Sequence, residues 1–302
     1  MILAKGETKM PMTQDSSVRP SPLDTRNFCR RVSLISVALC SMVIFFTACG
    51  AKKGSTASAG GPAPAAAAPA PASSPNTLTD QERAAGWTAL WNGVDFAGWR
   101  GVGLDKIPAG HWTIEDGAIK KLGSGEVPRQ ADGQPVRGGD LMTDATYVDF
   151  DLKFDWKISP GGNSGVKYNV SEEMSKAYAP EHAAIGFEYQ VIDDLGNPDV
   201  TGPTQATAAL YDLVPPHAKT LRPVGEFNAS RILFRGNHGE HWLNGAKVVE
   251  YDLGTPEMDK RVAASKFRSI PDFAKKRPGH IVLQDHGSAV WFRNLKILKL
   301  GP

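Results

Sequence analysis

Between Tyr147 and Ile158 the chain alternates between apolar and charged residues. Phe150, Leu152, Phe154, Trp156 and Ile158 fall on one face, and Asp149, Asp151, Lys153, Asp155 and Lys157 on the other. A period of two marks a strand with one buried and one wet face. Such a strand needs a second layer over its apolar side. Further strand-like runs are Gly165–Val170, Ile185–Ile192, Ala206–Leu213, Ser230–Arg235, His241–Asn244, Lys247–Tyr251, His280–Gln284 and Val290–Leu300. Asn244-Gly245 joins two of them as a hairpin turn. No stretch sustains a helical period. Thr79-Asp80-Gln81-Glu82 has the spacing of a capping box for one short helix, which Gly86 ends. No internal repeat is present, which argues against a propeller. The expectation is an all-β chain folded as a two-sheet jelly-roll sandwich.

That sandwich occupies residues 79–302, which hold all seven Trp and all seven His. It is large enough to bury a core unaided. Upstream the composition changes. Val32–Ala48 is an uncharged, apolar run of 17 residues behind Arg30 and Arg31, ended by Thr47 and Ala48. Those features describe a secretory signal over residues 1–48, with an uncleaved anchor helix as the alternative. Phe46-Thr47-Ala48-Cys49-Gly50 resembles a bacterial lipobox, so Cys49 is the expected lipid attachment point. Residues 51–75 contain ten Ala and five Pro. They cannot form a packed core, and residues 49–78 read as a lipidated cysteine and a tether. The expected location is therefore the bacterial cell envelope, exported and membrane-anchored.

The leader also explains the net charge of +2. It carries six of the 34 basic and three of the 32 acidic residues, and the remainder is negative by one. No basic face for a nucleic acid is indicated. All three cysteines lie in the first 49 residues, which leaves the sandwich none for a structural zinc. His238 and His241, with Glu240 between them, lack zinc-site spacing. His111, His182, His217 and His280 read as structural or loop residues. No nucleophile elbow, phosphate-binding glycine loop or dinucleotide fingerprint is present.

Three polar groups stand out. In Gly161–Tyr168, Asn163, Gly165 and Lys167 share one face, and the glycines permit close approach to the backbone. In Gly186–Asp194, Glu188 and Gln190 share a face opposite Phe187, Tyr189 and Val191. Glu188-x-Gln190-x-x-Asp193 is similar to the Glu-x-Asp-x-x-Glu of retaining β-glucanases, with Gln190 and Asp193 replacing two of its three acids. In Leu283–Gly287, Gln284 and His286 share a face, with Leu283 and Asp285 on the other. A histidine at a strand end can serve as acid, base or metal ligand.

An ordered set of motifs runs through these groups. It begins with Gly86-Trp87-Thr88-Ala89-Leu90-Trp91-Asn92-Gly93 and Gly98-Trp99, then Gly162-Asn163-Ser164-Gly165 and Glu188-Tyr189-Gln190. It continues with Ala209-Leu210-Tyr211-Asp212, Gly225-Glu226-Phe227-Asn228 and His241-Trp242-Leu243-Asn244-Gly245. It ends with Leu283-Gln284-Asp285-His286-Gly287 and Phe292-Arg293-Asn294. In that order they resemble the 3-keto-disaccharide hydrolase domain family over about Ala84–Leu300. The resemblance implies a concanavalin-like jelly roll that cleaves glycosides already oxidised at C3.

A 3-keto group acidifies the C2 hydrogen, so a base can form an enolate and expel the C1 substituent. Such chemistry needs a general base and a positive or hydrogen-bonding group at the enolate oxygen. A divalent metal ion is the alternative source of that charge. The resemblance assigns Glu188 and His286 to the base and the leaving-group acid, in either order. Lys167 and Gln284 serve the enolate oxygen or sugar hydroxyls. Asn163, Gln190, Asp193 and Tyr211 orient the sugar. Many relatives carry Arg where this chain has Asn169, which puts the oxyanion charge on Lys167. Two other readings stand beside this one: a non-catalytic carbohydrate-binding module, and a retaining β-glucan hydrolase.

Overall fold

The alternating segment forms a nine-residue strand paired on both sides, and the larger sheet is built outward from it. A computed structural model describes residues 74–301. The leader, Cys49 and most of the tether lie outside the described residues. In chain order the first strands are β1 (Thr88–Ala89), β2 (Trp99–Gly101), β3 (Trp112–Glu115), β4 (Ala118–Lys121), β5 (Leu141–Thr143) and β6 (Phe150–Ile158). Then come β7 (Asn163–Val170), β8 (Phe187–Ile192), β9 (Asn228–Arg235), β10 (His238–Leu243) and β11 (Ala246–Asp252). The last are β12 (His280–Leu283) and β13 (Val290–Lys299). Three short helices accompany them: α1 (Asp80–Ala84), α2 (Glu172–Tyr178) and α3 (Pro256–Ala264). Among the described residues no helix is long and apolar enough to cross a membrane.

The strands build two antiparallel sheets, as the alternation requires. The eight-stranded sheet runs β11-β10-β9-β6-β13-β4-β3, with β1 added on β13. The five-stranded sheet runs β2-β5-β12-β7-β8. The predicted apolar face of β6 is buried from Phe150 to Ile158. It meets the inward residues of β7 and β8: Phe150 and Tyr168 pack edge-on at 6.1 Å, and Phe154 and Tyr189 at 5.3 Å. The wet face is paired with neighbours, as in the fork of Arg231 on Asp151 at 2.6 and 2.8 Å.

The local signals behave as read. Thr79 and Glu82 complete the capping box of α1, and Gly86 follows it at φ 85°. Asn244 and Gly245 turn β10 into β11 with φ of 48° and 87°, the left-handed pair that suits a tight hairpin. Asn76 already belongs to the folded body, since its amide group pairs reciprocally with Asn294.

One strand expectation is wrong. Ala206–Leu213 forms turns, because Ala208 and Asp212 are left-handed at φ 67° and 61°. Its backbone still borders β8: Ala208 N donates to Gln190 O at 2.8 Å, and Tyr211 N to Glu188 O at 3.0 Å. Strands β1–β5, α2 and α3 were not foreseen, being too short for a period to register.

Candidate active site

In β7 and β8, Lys167 lies directly opposite Glu188, and Gly165 opposite Gln190. Val166, Tyr168, Phe187 and Tyr189 point into the core. The alternation therefore turns Lys167 and Glu188 out of the far face of the five-stranded sheet. There they line a cavity of about 890 Å³. Its other walls are the segment ending at Asp140, residues Gln284–Gly287 after β12, residues Tyr178–Gly186 at the end of α2, and the 3₁₀ turn Lys266–Ser269 with Ile270.

Both strand residues are buried: Glu188 is 5 % exposed and Lys167 6 %. Burial raises the pKa of Glu188 above the usual carboxylate range, against the pull of the Lys167 and Lys266 charges. Burial works against the Lys167 ammonium too, but the charges of Asp140 and Glu188 outweigh it and hold its pKa up. Glu188 forms no ion pair within the described residues. An amide end of Gln190 approaches its Oε1 at 2.9 Å.

Asp140 is a hub that sequence reasoning missed. Its Oδ2 accepts from Lys167 Nζ at 3.0 Å and from Ala184 N at 2.9 Å, and its Oδ1 from Asp285 N at 2.9 Å. One buried carboxylate thus ties β7, the Tyr178–Gly186 wall and the Gln284–Gly287 wall together. Beside it, Asp285 Oδ1 pairs with Lys121 Nζ at 2.9 Å, and its Oδ2 lies 3.0 Å from His111 Nδ1. His111 and His182, read from sequence as structural or loop residues, do lie in turns, and both also line the cavity. The nearest signals were Gly138-Gly139 before Asp140 and the Asp inside Gln284-Asp285-His286. Alternation turned Asp285 away from its neighbours, but the strand ends at Leu283 and the rule lapses there.

The predicted residues divide. Glu188, Lys167, Gln284 and His286 line the cavity together. His286 is exposed, and no hydrogen bond reaches its ring from the described residues. The Oε1 of Gln284 is buried without a hydrogen-bond partner. Tyr211 lies next to the cavity, with Lys266 Nζ 4.2 Å from its ring centroid. Burial, followed by the Glu188 charge, raises the pKa of Tyr211.

Asn163, Gln190 and Asp193 stand outside the lining. Asn163 Nδ2 donates to Asp199 at 2.8 Å. Asp193 accepts from the backbone N–H groups of Gly161, Leu195 and Gly196, which braces a loop. The acid pair of a retaining glucanase is consequently not assembled: Asp193 follows the end of β8 and does not join Glu188 at the cavity. Asn169 also points elsewhere, holding Arg277 N and Lys275 O.

Metal ligands converge in one place among the described residues, and it is not this cavity. His238, Glu240 and Glu250 bring ligand atoms within 4.8 Å of one another on β10 and β11. Lys247 Nζ already bridges the two glutamates at 3.1 and 2.8 Å. At the cavity Asp140 and Asp285 are paired with lysines, which leaves Glu188 and His286 as its unpaired donors among the described residues.

A two-sheet sandwich with one free carboxylate and several hydrogen-bonding side chains around a small-molecule-sized cavity has the character of a carbohydrate-active enzyme. The comparisons agree. The profile of the 3-keto-alpha-glucoside-1,2-lyase-like domain matches residues 86–298, and the chain belongs to that family. It is 35% identical over 233 residues to a 3-keto-disaccharide hydrolase of Bacteroides thetaiotaomicron, covering 71% of this chain and 78% of that protein. It is 34% identical to a crystal structure from Parabacteroides distasonis provisionally assigned as a glycosyl hydrolase. That match has a TM-score of 0.64 and covers 76% of this chain and 100% of the other. A further Parabacteroides distasonis structure at 21% identity, with TM-score 0.51 over 71% of this chain and 84% of its own, shares the fold.

Proposed function

We propose that the protein cleaves 3-keto-glycosides by elimination across C1 and C2, with water then adding to the product. The observation that carries this reading is Glu188: among the described residues it is the one cavity carboxylate with no ion-pair partner. A buried carboxylate with a raised pKa is a better base near neutral pH than a solvated one. Glu188 takes the C2 proton. The C–H electron pair becomes the C2–C3 double bond, and the C3 carbonyl becomes an enolate. When the carbonyl re-forms, the C1–O bond breaks. His286, exposed at the rim, protonates the departing oxygen. Gln284, on the cavity wall, turns its side-chain amide toward a sugar hydroxyl. Gln190 supports Glu188 from behind, and Tyr211 walls the sugar.

The test supplies a 3-keto-glucoside and its unoxidised parent to the purified protein and follows products by mass. The expected result is release of the aglycone from the ketone alone, slowed several-fold when C2 carries deuterium. Cleavage of the parent with the ketone left intact would sink the proposal. Anchoring at Cys49 belongs to the same reading, because it places the enzyme where exogenous glycosides arrive. The full chain should sediment with membranes, and Cys49→Ala should release it.

A further inference from the structure

Four lysine or arginine side chains line the cavity, and three have anionic partners. Lys121 pairs with Asp285 at 2.9 Å, Lys167 with Asp140 at 3.0 Å, and Arg137 with Glu181 at 2.6 Å. Lys266 is the fourth. Among the described residues no hydrogen bond or ion pair reaches its ammonium.

Its surroundings hold it in place without neutralising it. Lys266 Nζ stands 4.2 Å from the Tyr211 ring centroid and 5.1 Å from that of Phe267. Aromatic faces attract a cation without giving it a counter-charge. The backbone below is fixed. Lys266 N donates to Asp212 Oδ2 at 2.8 Å, Ser265 Oγ accepts from Phe267 N at 3.1 Å, and Phe267 stacks on Phe273 at 4.0 Å. The side chain is solvent-exposed at the cavity mouth, yet desolvation around the ammonium pushes its pKa below the ordinary lysine value, against the opposing pull of Glu188. The charged groups acting on it are Glu188 on β8, Lys167 on β7 and Asp212 in the adjoining loop.

Lys167 and Gln284 were expected at the enolate oxygen or the sugar hydroxyls, with the positive charge on Lys167. Its ammonium is spent on Asp140 Oδ2 and Ala184 O, both at 3.0 Å. Moving it would strand a buried carboxylate. Lys266 can turn toward a ligand without breaking any such bond.

Resting on the elimination proposed above, we infer that Lys266 is the catalytic residue that receives the C3 oxygen of the substrate. As Glu188 removes the C2 proton, the C3–O π electrons move onto oxygen. The Lys266 ammonium donates a hydrogen bond to that oxygen. That hydrogen bond is released when the carbonyl re-forms and the C1–O bond breaks. No oxidant or reductant enters, and the proton taken by Glu188 is the one the substrate loses.

The experiment uses the full chain as wild type, Lys266→Met and Lys266→Arg. It measures turnover of a 3-keto-glucoside and, by calorimetry, affinity for the ketone and for its unoxidised parent. Urea midpoints check that the exposed substitutions leave the fold unchanged. Lys266→Met should lower kcat by about 100-fold or more, the usual loss for one oxyanion donor. It should remove the preference for ketone over parent while parent affinity stays constant. Lys266→Arg should recover part of both. An unchanged preference in Lys266→Met, or equal weakening toward ketone and parent, would overturn the assignment. A wild type that prefers the ketone but cleaves neither compound would defeat the elimination reading, and the preference would still decide the role of Lys266.

Discussion

A methyl group on Gly165 would stand 2.5 Å from Glu188 Oε1. The two residues are diagonal neighbours on adjacent strands, and the missing side chain is what lets the carboxylate fold over β7. Gly165→Ala should therefore displace the base while leaving the core aromatics in place. A misplacement of about 1 Å costs roughly 100-fold in rate. The expected outcome is that loss in kcat, with KM changed less, measured beside a urea midpoint. Wild-type kcat in a folded Gly165→Ala protein would show that Glu188 has no role as base.

Asp140 should matter more for stability than its short flanking strand suggests. Removing its charge leaves Lys167 buried and without its ion-pair partner. Breaking a buried pair from one side costs about 3–5 kcal/mol. Asp140→Asn should lower the urea midpoint accordingly. Lys167→Met should cost less, since the aspartate would keep the N–H groups of Ala184 and Asp285. Equal losses in the two variants would contradict the hub reading.

Gln284 offers the opposite case. Its buried, unpartnered Oε1 carries a desolvation penalty of about 1–3 kcal/mol in the free protein. Gln284→Leu should therefore leave thermal stability unchanged or raised while KM for the 3-keto-glucoside rises about tenfold. A fall in both stability and affinity would mean that the side chain serves packing.

The sandwich was legible because β6 and β8 are long enough for alternation to register. The same rule, applied within each strand, set Lys167 on the face opposite Val166 and Tyr168, and Glu188 on the face opposite Phe187 and Tyr189, as the structure has them. It failed where its premise failed. Asp193 follows the end of β8, and its carboxylate satisfies three loop N–H groups that no periodicity displays. Asp140 and Lys266 were invisible for another reason: they reach the cavity from an irregular segment just before a short strand and from a single 3₁₀ turn, placed by long-range contacts. Ala206–Leu213 reads as an apolar strand because it covers β8. Its left-handed Ala208 and Asp212 are set by that packing and not by a local glycine signal.

Below the cavity-bearing sheet, His241 sets a limit on acid stability. It is completely buried, with Nδ1 2.9 Å from Ala208 O and Nε2 2.8 Å from Tyr168 Oη. Burial lowers its pKa from 6.5 to about 4. The folded protein therefore resists a proton that the unfolded chain accepts. Stability is complete above the unfolded value of 6.5, falls as pH drops toward 4, and levels off below it for this group. The total loss is on the order of 3 kcal/mol. Glu82 and Glu172, with pKa values lowered to about 2, weaken the fold only at still lower pH, as they are protonated below their ordinary 4.5. Urea midpoints should therefore begin to decline near pH 6.5, before Glu82 and Glu172 titrate. A flat midpoint from pH 7 down to 5 would show that His241 does not remain neutral in the folded core.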